Sequence, residues 1–206
     1  MELTQARNRA DDFIWIGNEA IYVQHRGDAA SVKVELPSAD PIPYVPRLHG
    51  IWEESVQKSS QQRLTQALGG RLRMRMAHIL VAIPDDTTWI ELRALQDYFL
   101  MSGSGAPDKR LFFYPQSVLL RPAQESFLAI TWSCRCLSVC HVHNGSVADR
   151  IRLDIARSGA DELAGAIGGL CLSGHLPVYH PAIEAAPLPK MLGTGISPAQ
   201  IQALNR

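Results

Sequence analysis

The stretch that decides the fold runs from Ala77 to Leu120, AHILVAIPDDTTWIELRALQDYFLMSGSGAPDKRLFFYPQSVLL. Ile79, Leu80, Val81, Ala82 and Ile83 form an unbroken apolar run, which predicts a parallel strand buried on both faces. Pro84 ends it, because proline has no N–H to give to a ladder, and a turn follows. Thr88 with Glu91 three residues later makes a capping box, after which Ile90, Ala94, Leu95, Tyr98 and Phe99 recur on one helical face. Gly103 and Gly105 stop that helix. The aromatic run Arg110 to Tyr114, closed by Pro115, then predicts a second strand, so the segment is one β-α-β unit.

On the amino-terminal side, Phe13–Ile16 and Ala20–Val23 flank Gly17-Asn18-Glu19 as a hairpin, and Ser31 to Leu36 alternates as a third strand with Val32, Val34 and Leu36 on one side. Four prolines between Pro37 and Pro46 predict an extended surface loop. Trp52, Val56, Leu64, Ala67 and Leu68 space out a helix from about Glu53 to Leu68, stopped by Gly69-Gly70. Arg71, Arg73 and Arg75 then alternate with Leu72, Met74 and Met76. We read this as a charged strand or linker edge that guards the sheet against strand addition; the other reading is a basic edge that meets phosphate or an anionic membrane surface.

On the carboxy-terminal side, Phe127–Ile130, Leu137–Val142 and Arg150–Ile155 are strands, the last two joined at Asn144-Gly145, a strong hairpin signal. Ser158 with Asp161 offers a cap to a helix whose stripe is Leu163, Ala164, Ile167 and Leu170. Pro177, Pro181, Pro187 and Pro189 mark a loose tail. In it Ser197-Pro198-Ala199-Gln200 specifies a short helix from Pro198 to Leu204, with Ile201 and Leu204 as its apolar face.

The composition of this 206-residue chain, 46% hydrophobic and 19% charged, is that of globular material. Twenty basic against twenty acidic side chains leave no net field, so attraction to nucleic acid as a whole-molecule property is excluded and no nucleic-acid partner is expected. Neither a signal peptide nor a membrane span is read in the sequence, and four cysteines, three of them between Cys134 and Cys140, do not form a secreted disulfide pattern, so a cytoplasmic location is expected. Strand parity puts Cys134, Cys136 and Cys140 on one face and His141 and His143 on the other. These five cannot share one ion, and the cysteines are expected to pack the core rather than to hold metal. Ser133 has no G-x-S-x-G elbow around it.

The order of elements, a three-strand meander, a helix, β-α-β, then a second meander and a helix, resembles the actin-like ATPase superfamily, in its rod-shape-determining, MreB-like branch. The resemblance runs from about Asp12 to Leu170 and is carried by FIWIGNEAIYV at the first phosphate-loop hairpin, ILVAIPDDTTWIELRALQDYFLMSGSG at the interior strand and helix, and FLAITWSCRCLSVCHVHNGSV at the second phosphate loop. The family's T-x-x-E-R-R-A is met by Thr88, Glu91, Arg93 and Ala94. It implies an α/β fold with a ribonuclease H-like β-β-β-α-β-α-β core and a mixed sheet covered by helices, of which the second half is largely missing. The implied divisions are a first subdomain at 1–125, the start of a second at 126–172, and a proline-rich tail at 173–206.

The departures lie where the family's chemistry lies. Trp15 stands at the aspartate of the first loop, D-L-G-T, and Asn18 at its threonine. In the second loop, D-I-G-G-G-T becomes Ile130-Thr131-Trp132-Ser133-Cys134-Arg135, so an indole is expected where phosphates need bare backbone. No carboxylate occurs between Glu125 and Asp149, and Phe113-Tyr114-Pro115 replaces the strand-end glutamate that positions water. We therefore expect no catalytic residues, no cofactor and no metal, and a scaffold or interaction role in cell-shape, cytoskeletal or envelope-assembly machinery. The expected partner is an actin-like filament, a membrane-associated complex or a second copy, which would place the chain at the inner face of the membrane through that partner. The alternatives are an actin-like ATPase with an atypical site, and a metal or thiol protein using the Cys134 to His143 strand.

Overall fold

The computed structural model describes residues 3–17, 20–35, 54–99, 110–121, 125–133, 135–154, 157–170 and 176–181. The proline loop 37–46, the helix stop at Gly103 and Gly105, Cys134 and the short helix from Pro198 lie outside the described residues. The chain divides into two compact units, Met1–Ile83 with Thr87–Tyr114, and Pro84–Asp86 with Pro115–Arg206.

The first unit begins with α1 (Leu3–Arg9), for which the sequence reading had no element, and continues into β1 (Asp12–Ile16), β2 (Ala20–His25) and β3 (Val32–Glu35). After α2 (Glu54–Ala67) and α3 (Arg71–Met76) come β4 (Ile79–Ile83), α4 (Trp89–Phe99) and β5 (Leu111–Pro115). The sheet order is β3-β2-β1-β4-β5. β1 runs antiparallel to β2, with Ile14 opposite Val23, and parallel to β4, with Ile14 opposite Val81. β4 is buried at all five positions, as an apolar run in the middle of a sheet requires. Ile14, Ile16, Ile21, Val23, Ile79, Val81 and Ile83 meet Leu64 and Leu68 of α2 and Leu95, Tyr98 and Phe99 of α4 in one core. On β3 only Val34 is buried, while Val32 is half exposed.

The capping box of α4 forms as read: Glu91 Oε2 accepts from Thr88 N at 2.8 Å and Thr88 Oγ1 accepts from Glu91 N at 3.3 Å. The apolar stripe is shifted, however, because Ile90 is 59% exposed. α2 ends in a Schellman pair, Gly70 N to Thr65 O at 2.8 Å and Gly69 N to Gln66 O at 3.0 Å, with left-handed φ of 94° and 79° that only glycine takes without strain.

Residues 71–76 are a correction. They form α3 rather than a strand edge. Over six residues a period of two mimics one helical turn and a half, and arginine, leucine and methionine are all strong helix formers. Met74 is buried, and Arg73 turns inward to a buried carboxylate. Arg73 donates from Nη2 to Asp12 Oδ1 at 2.7 Å and from Nη1 to Asp12 Oδ2 at 3.1 Å, a fork on a side chain with no exposed surface. His25 Nδ1 lies 2.6 Å from Asp12 Oδ1, so it donates to the carboxylate; its 2.9 Å approach to Arg73 Nη1 is then a contact between two donors, not a second bond.

The second unit holds α5 (Gln116–Leu119), β6 (Phe127–Trp132), β7 (Cys136–His143), β8 (Ser146–Asp154), α6 (Ala160–Leu170) and β9 (Val178–Tyr179). Its sheet order is β8-β7-β6-β9. Asn144 (φ 50°) and Gly145 (φ 70°) make the β7–β8 turn. Leu128, Ile130, Leu137 and Val139 pack against Leu163, Ala166, Ile167 and Leu170 of α6. The cap of α6 is one residue later than read: Gly159 N donates to Glu162 Oε2 at 2.8 Å, in place of a Ser158–Asp161 pair. β9 lies where the sequence reading has only tail. It pairs parallel to β6, with Leu128 opposite Val178, as β4 pairs parallel to β1. Each unit thus repeats one plan: a meander, a helix, and a strand returned beside the first.

Removing the partner of a buried charge leaves it uncompensated, so Arg73→Ala, which strands Asp12 with no exposed surface, should cost about 3–5 kcal/mol in urea unfolding, while Arg75→Ala, on the exposed face of α3, should stay within about 0.5 kcal/mol.

Candidate functional site

The polar centre of the second unit is built by three elements: the Pro84–Asp86 segment, the start of α5, and the turn from β6 into β7. Ser133 ends β6. Its N–H donates to Cys136 O at 2.9 Å and closes the turn. Its hydroxyl oxygen accepts from the N–H groups of Arg135 at 3.0 Å and Cys136 at 3.2 Å, and its proton goes to Asp86 Oδ2 at 2.7 Å. One donor and two lone pairs are all a serine has, so Ser133 is saturated. Arg135 Nε donates to the same Oδ2 at 2.8 Å and Nη2 to the Asp86 carbonyl at 3.0 Å. Asp86 is 8% exposed.

Asp85, 5% exposed, is held more completely. Its Oδ2 accepts from Ser117 N at 3.0 Å and Thr131 Oγ1 at 2.7 Å; its Oδ1 accepts from the Ser117 hydroxyl and, at 3.7 Å, from Cys140 Sγ. Arg150 Nη1 donates to its carbonyl. Four donors on one carboxylate satisfy both of its oxygens in the interior. Three buried atoms have no hydrogen-bond partner among the described residues: Asp86 Oδ1, Trp132 Nε1 and Arg150 Nε.

Thiol chemistry finds little support here. Burial, reinforced by the Asp85 carboxylate, pushes the Cys140 thiol up to about 12, and burial with the Asp86 charge also raises Cys136. Neither is a thiolate at neutral pH, and the thiolate is the nucleophile and the metal ligand. Cys140 turns to Asp85 while His141 Nε2 lies 3.2 Å from Ser126 Oγ, and the rings of His141 and His143 stand 6.4 Å apart. Among the described residues no three His, Cys, Asp or Glu side chains gather as a metal-binding group.

One expectation about the loops is corrected. Trp132 is 6% exposed and packs with Leu128, Ile130 and Leu163 in the core, so its indole does not stand in the turn. A carboxylate does reach the turn, because Asp86 enters it from outside the segment. The adjacent aspartates directly after a buried strand were the available signal, since a carboxylate at the end of an interior strand must find donors nearby. Trp15, at the first loop, is half-buried on β1 opposite Tyr22; Asn18 lies outside the described residues. Phe113 packs edge-on against Phe99 at 5.9 Å.

No protein-family model and no curated protein matches this sequence. Solved structures do. Human actin-related protein Arp8 in its ATP-bound state is similar at 11% identity and a TM-score of 0.50, over 79% of this chain and 55% of that one. MreB5 of Spiroplasma citri bound to AMPPNP is similar at 11% identity and a TM-score of 0.46, over 79% and 57%. A putative N-acetylglucosamine kinase of Porphyromonas gingivalis is similar at 8% identity and a TM-score of 0.46, over 68% and 47%. The chain spans about half the length of these structures. The likeness to Arp8 shows the fold, which is actin-like.

The Cys140 thiol makes alkaline stability a test of this centre. An unfolded Cys140 loses its proton near 9.0 and the folded one near 12, so stability falls as pH rises between them, by at most about 1.4 kcal/mol per pH unit. Cys140→Ala should flatten that decline in urea unfolding measured from pH 9 to 12.

Proposed function

We propose that this chain is a non-catalytic actin-like protein, an interaction or scaffold module of cell-shape, cytoskeletal or envelope-assembly machinery that does not turn over ATP. The observation that carries the reading is the turn between β6 and β7. Loops that cradle phosphate offer free backbone N–H groups, and a carboxylate beside the phosphates is left free to hold the Mg²⁺ that bridges them. Here the N–H groups of Arg135 and Cys136 are taken by Ser133 Oγ, and the cation of the turn, Arg135, is matched by Asp86. At an effective dielectric constant of about 20, a phosphate charge roughly 4 Å from that carboxylate is repelled by about 4 kcal/mol, close to a thousandfold in affinity. The sequence departures at Trp15 and at Phe113-Tyr114-Pro115 point the same way.

A protein partner is supported by apolar surface left in the open. Trp89 and Ile90, 78% and 59% exposed, adjoin at the start of α4. Leu72 and Met76, 74% and 66% exposed, lie one turn apart on α3 with Arg71 and Arg75 exposed beside them. Exposed tryptophan is costly to a monomer and is the side chain most often found as an interface anchor. No helix among the described residues is long and apolar enough to cross a membrane.

Titration calorimetry with ATP and Mg²⁺ tests the proposal. The expected result is no binding heat at millimolar nucleotide and no phosphate release; a one-to-one isotherm in the micromolar range would overturn it.

A further inference from the structure

We infer that the β6–β7 turn is a latent oxyanion site which the chain fills with its own Asp86 carboxylate. The inference rests on the reading that this turn takes no nucleotide, and deepens it by naming what occupies the turn instead. Two donors converge on a single oxygen, Asp86 Oδ2: the Ser133 hydroxyl at 2.7 Å and the Arg135 Nε–H at 2.8 Å. A hydroxyl and a guanidinium edge aimed at one point are a donor set for a small oxyanion, and such charge-assisted bonds are the strong ones. The hydroxyl is itself oriented by the two N–H groups it accepts, so its proton has one direction to go.

The carboxylate fits this set incompletely. Asp86 is nine-tenths buried, yet its Oδ1 has no hydrogen-bond partner among the described residues. A purely structural carboxylate in the interior normally satisfies both oxygens, as Asp85 does next to it. Asp86 is therefore better described as a tethered anion that reaches the donors with one oxygen. Removing it leaves Ser133 and Arg135 Nε without that acceptor in a largely buried setting, and a free tetrahedral anion of the same charge sign can supply the missing oxygen.

Inorganic phosphate is the probe. In wild type, calorimetry and thermal melting at constant ionic strength should show no difference between phosphate and chloride. Asp86→Ala should bind phosphate one-to-one with millimolar affinity or tighter and melt at higher temperature in phosphate than in chloride. Adding Arg135→Ala to it should weaken that binding by about tenfold or more. Should Asp86→Ala fail to fold, Asp86→Gly, which also removes the acceptor oxygen, must show the same phosphate-specific rise in melting temperature. A folded Asp86 variant indifferent to phosphate overturns the inference, as does phosphate binding of equal strength in wild type or without Arg135. Wild-type binding of Mg²⁺ and ATP is a separate result, which would overturn the functional reading whatever the Asp86 variants do.

Discussion

A carboxylate carried into a protein interior must be met by donors to offset the hydration it loses, and in the second unit this requirement falls on two neighbours at once. Asp85 is met by four donors from α5, β6 and β7; Asp86 is met by the hydroxyl and guanidinium of the turn that follows β6. The Pro84–Asp86 segment is thereby fastened to β6, β7 and the turn between them within the second unit. Its fastening also fixes the state of the turn. Ser133 cannot serve Asp86 and the two backbone N–H groups while leaving any of them to a ligand.

The first unit solves the same problem at the opposite end of its own central strand. Asp12 opens β1 with no exposed surface, and Arg73 and His25 converge on it from α3 and β2. That demand also explains why 71–76 is helical. The fork must approach from Leu68 O, to which Arg73 Nη1 donates at 3.0 Å, and across Gly69, where any side chain would meet Arg73 Cδ at 2.9 Å. Local alternation of arginine with leucine and methionine is weak against such a tie.

Much of the fold was legible because it rests on patterns with a single physical reading. The unbroken Ile79–Ile83 run, the Thr88–Glu91 box, the Gly69-Gly70 stop and the Asn144-Gly145 turn each specify one local geometry, and each forms. What escaped depends on partners distant in sequence. β9 has two residues, too few for periodicity, and is a strand only because β6 offers it an edge. Trp132 looked like an obstruction in the turn because its place in the core is decided by α6, some thirty residues on. The Asp86–Ser133 and Asp86–Arg135 bonds span 47 and 49 positions, so a search for charge within the loop itself could not find them.

The central claim is that the turn between β6 and β7 is closed by groups of the chain alone. Amide hydrogen exchange at Arg135 and Cys136 measures this directly, since both N–H groups are committed to Ser133 Oγ. The account predicts slowed exchange in the protein by itself, unchanged when ATP and Mg²⁺ are added. Rapid exchange that slows only with nucleotide would contradict it.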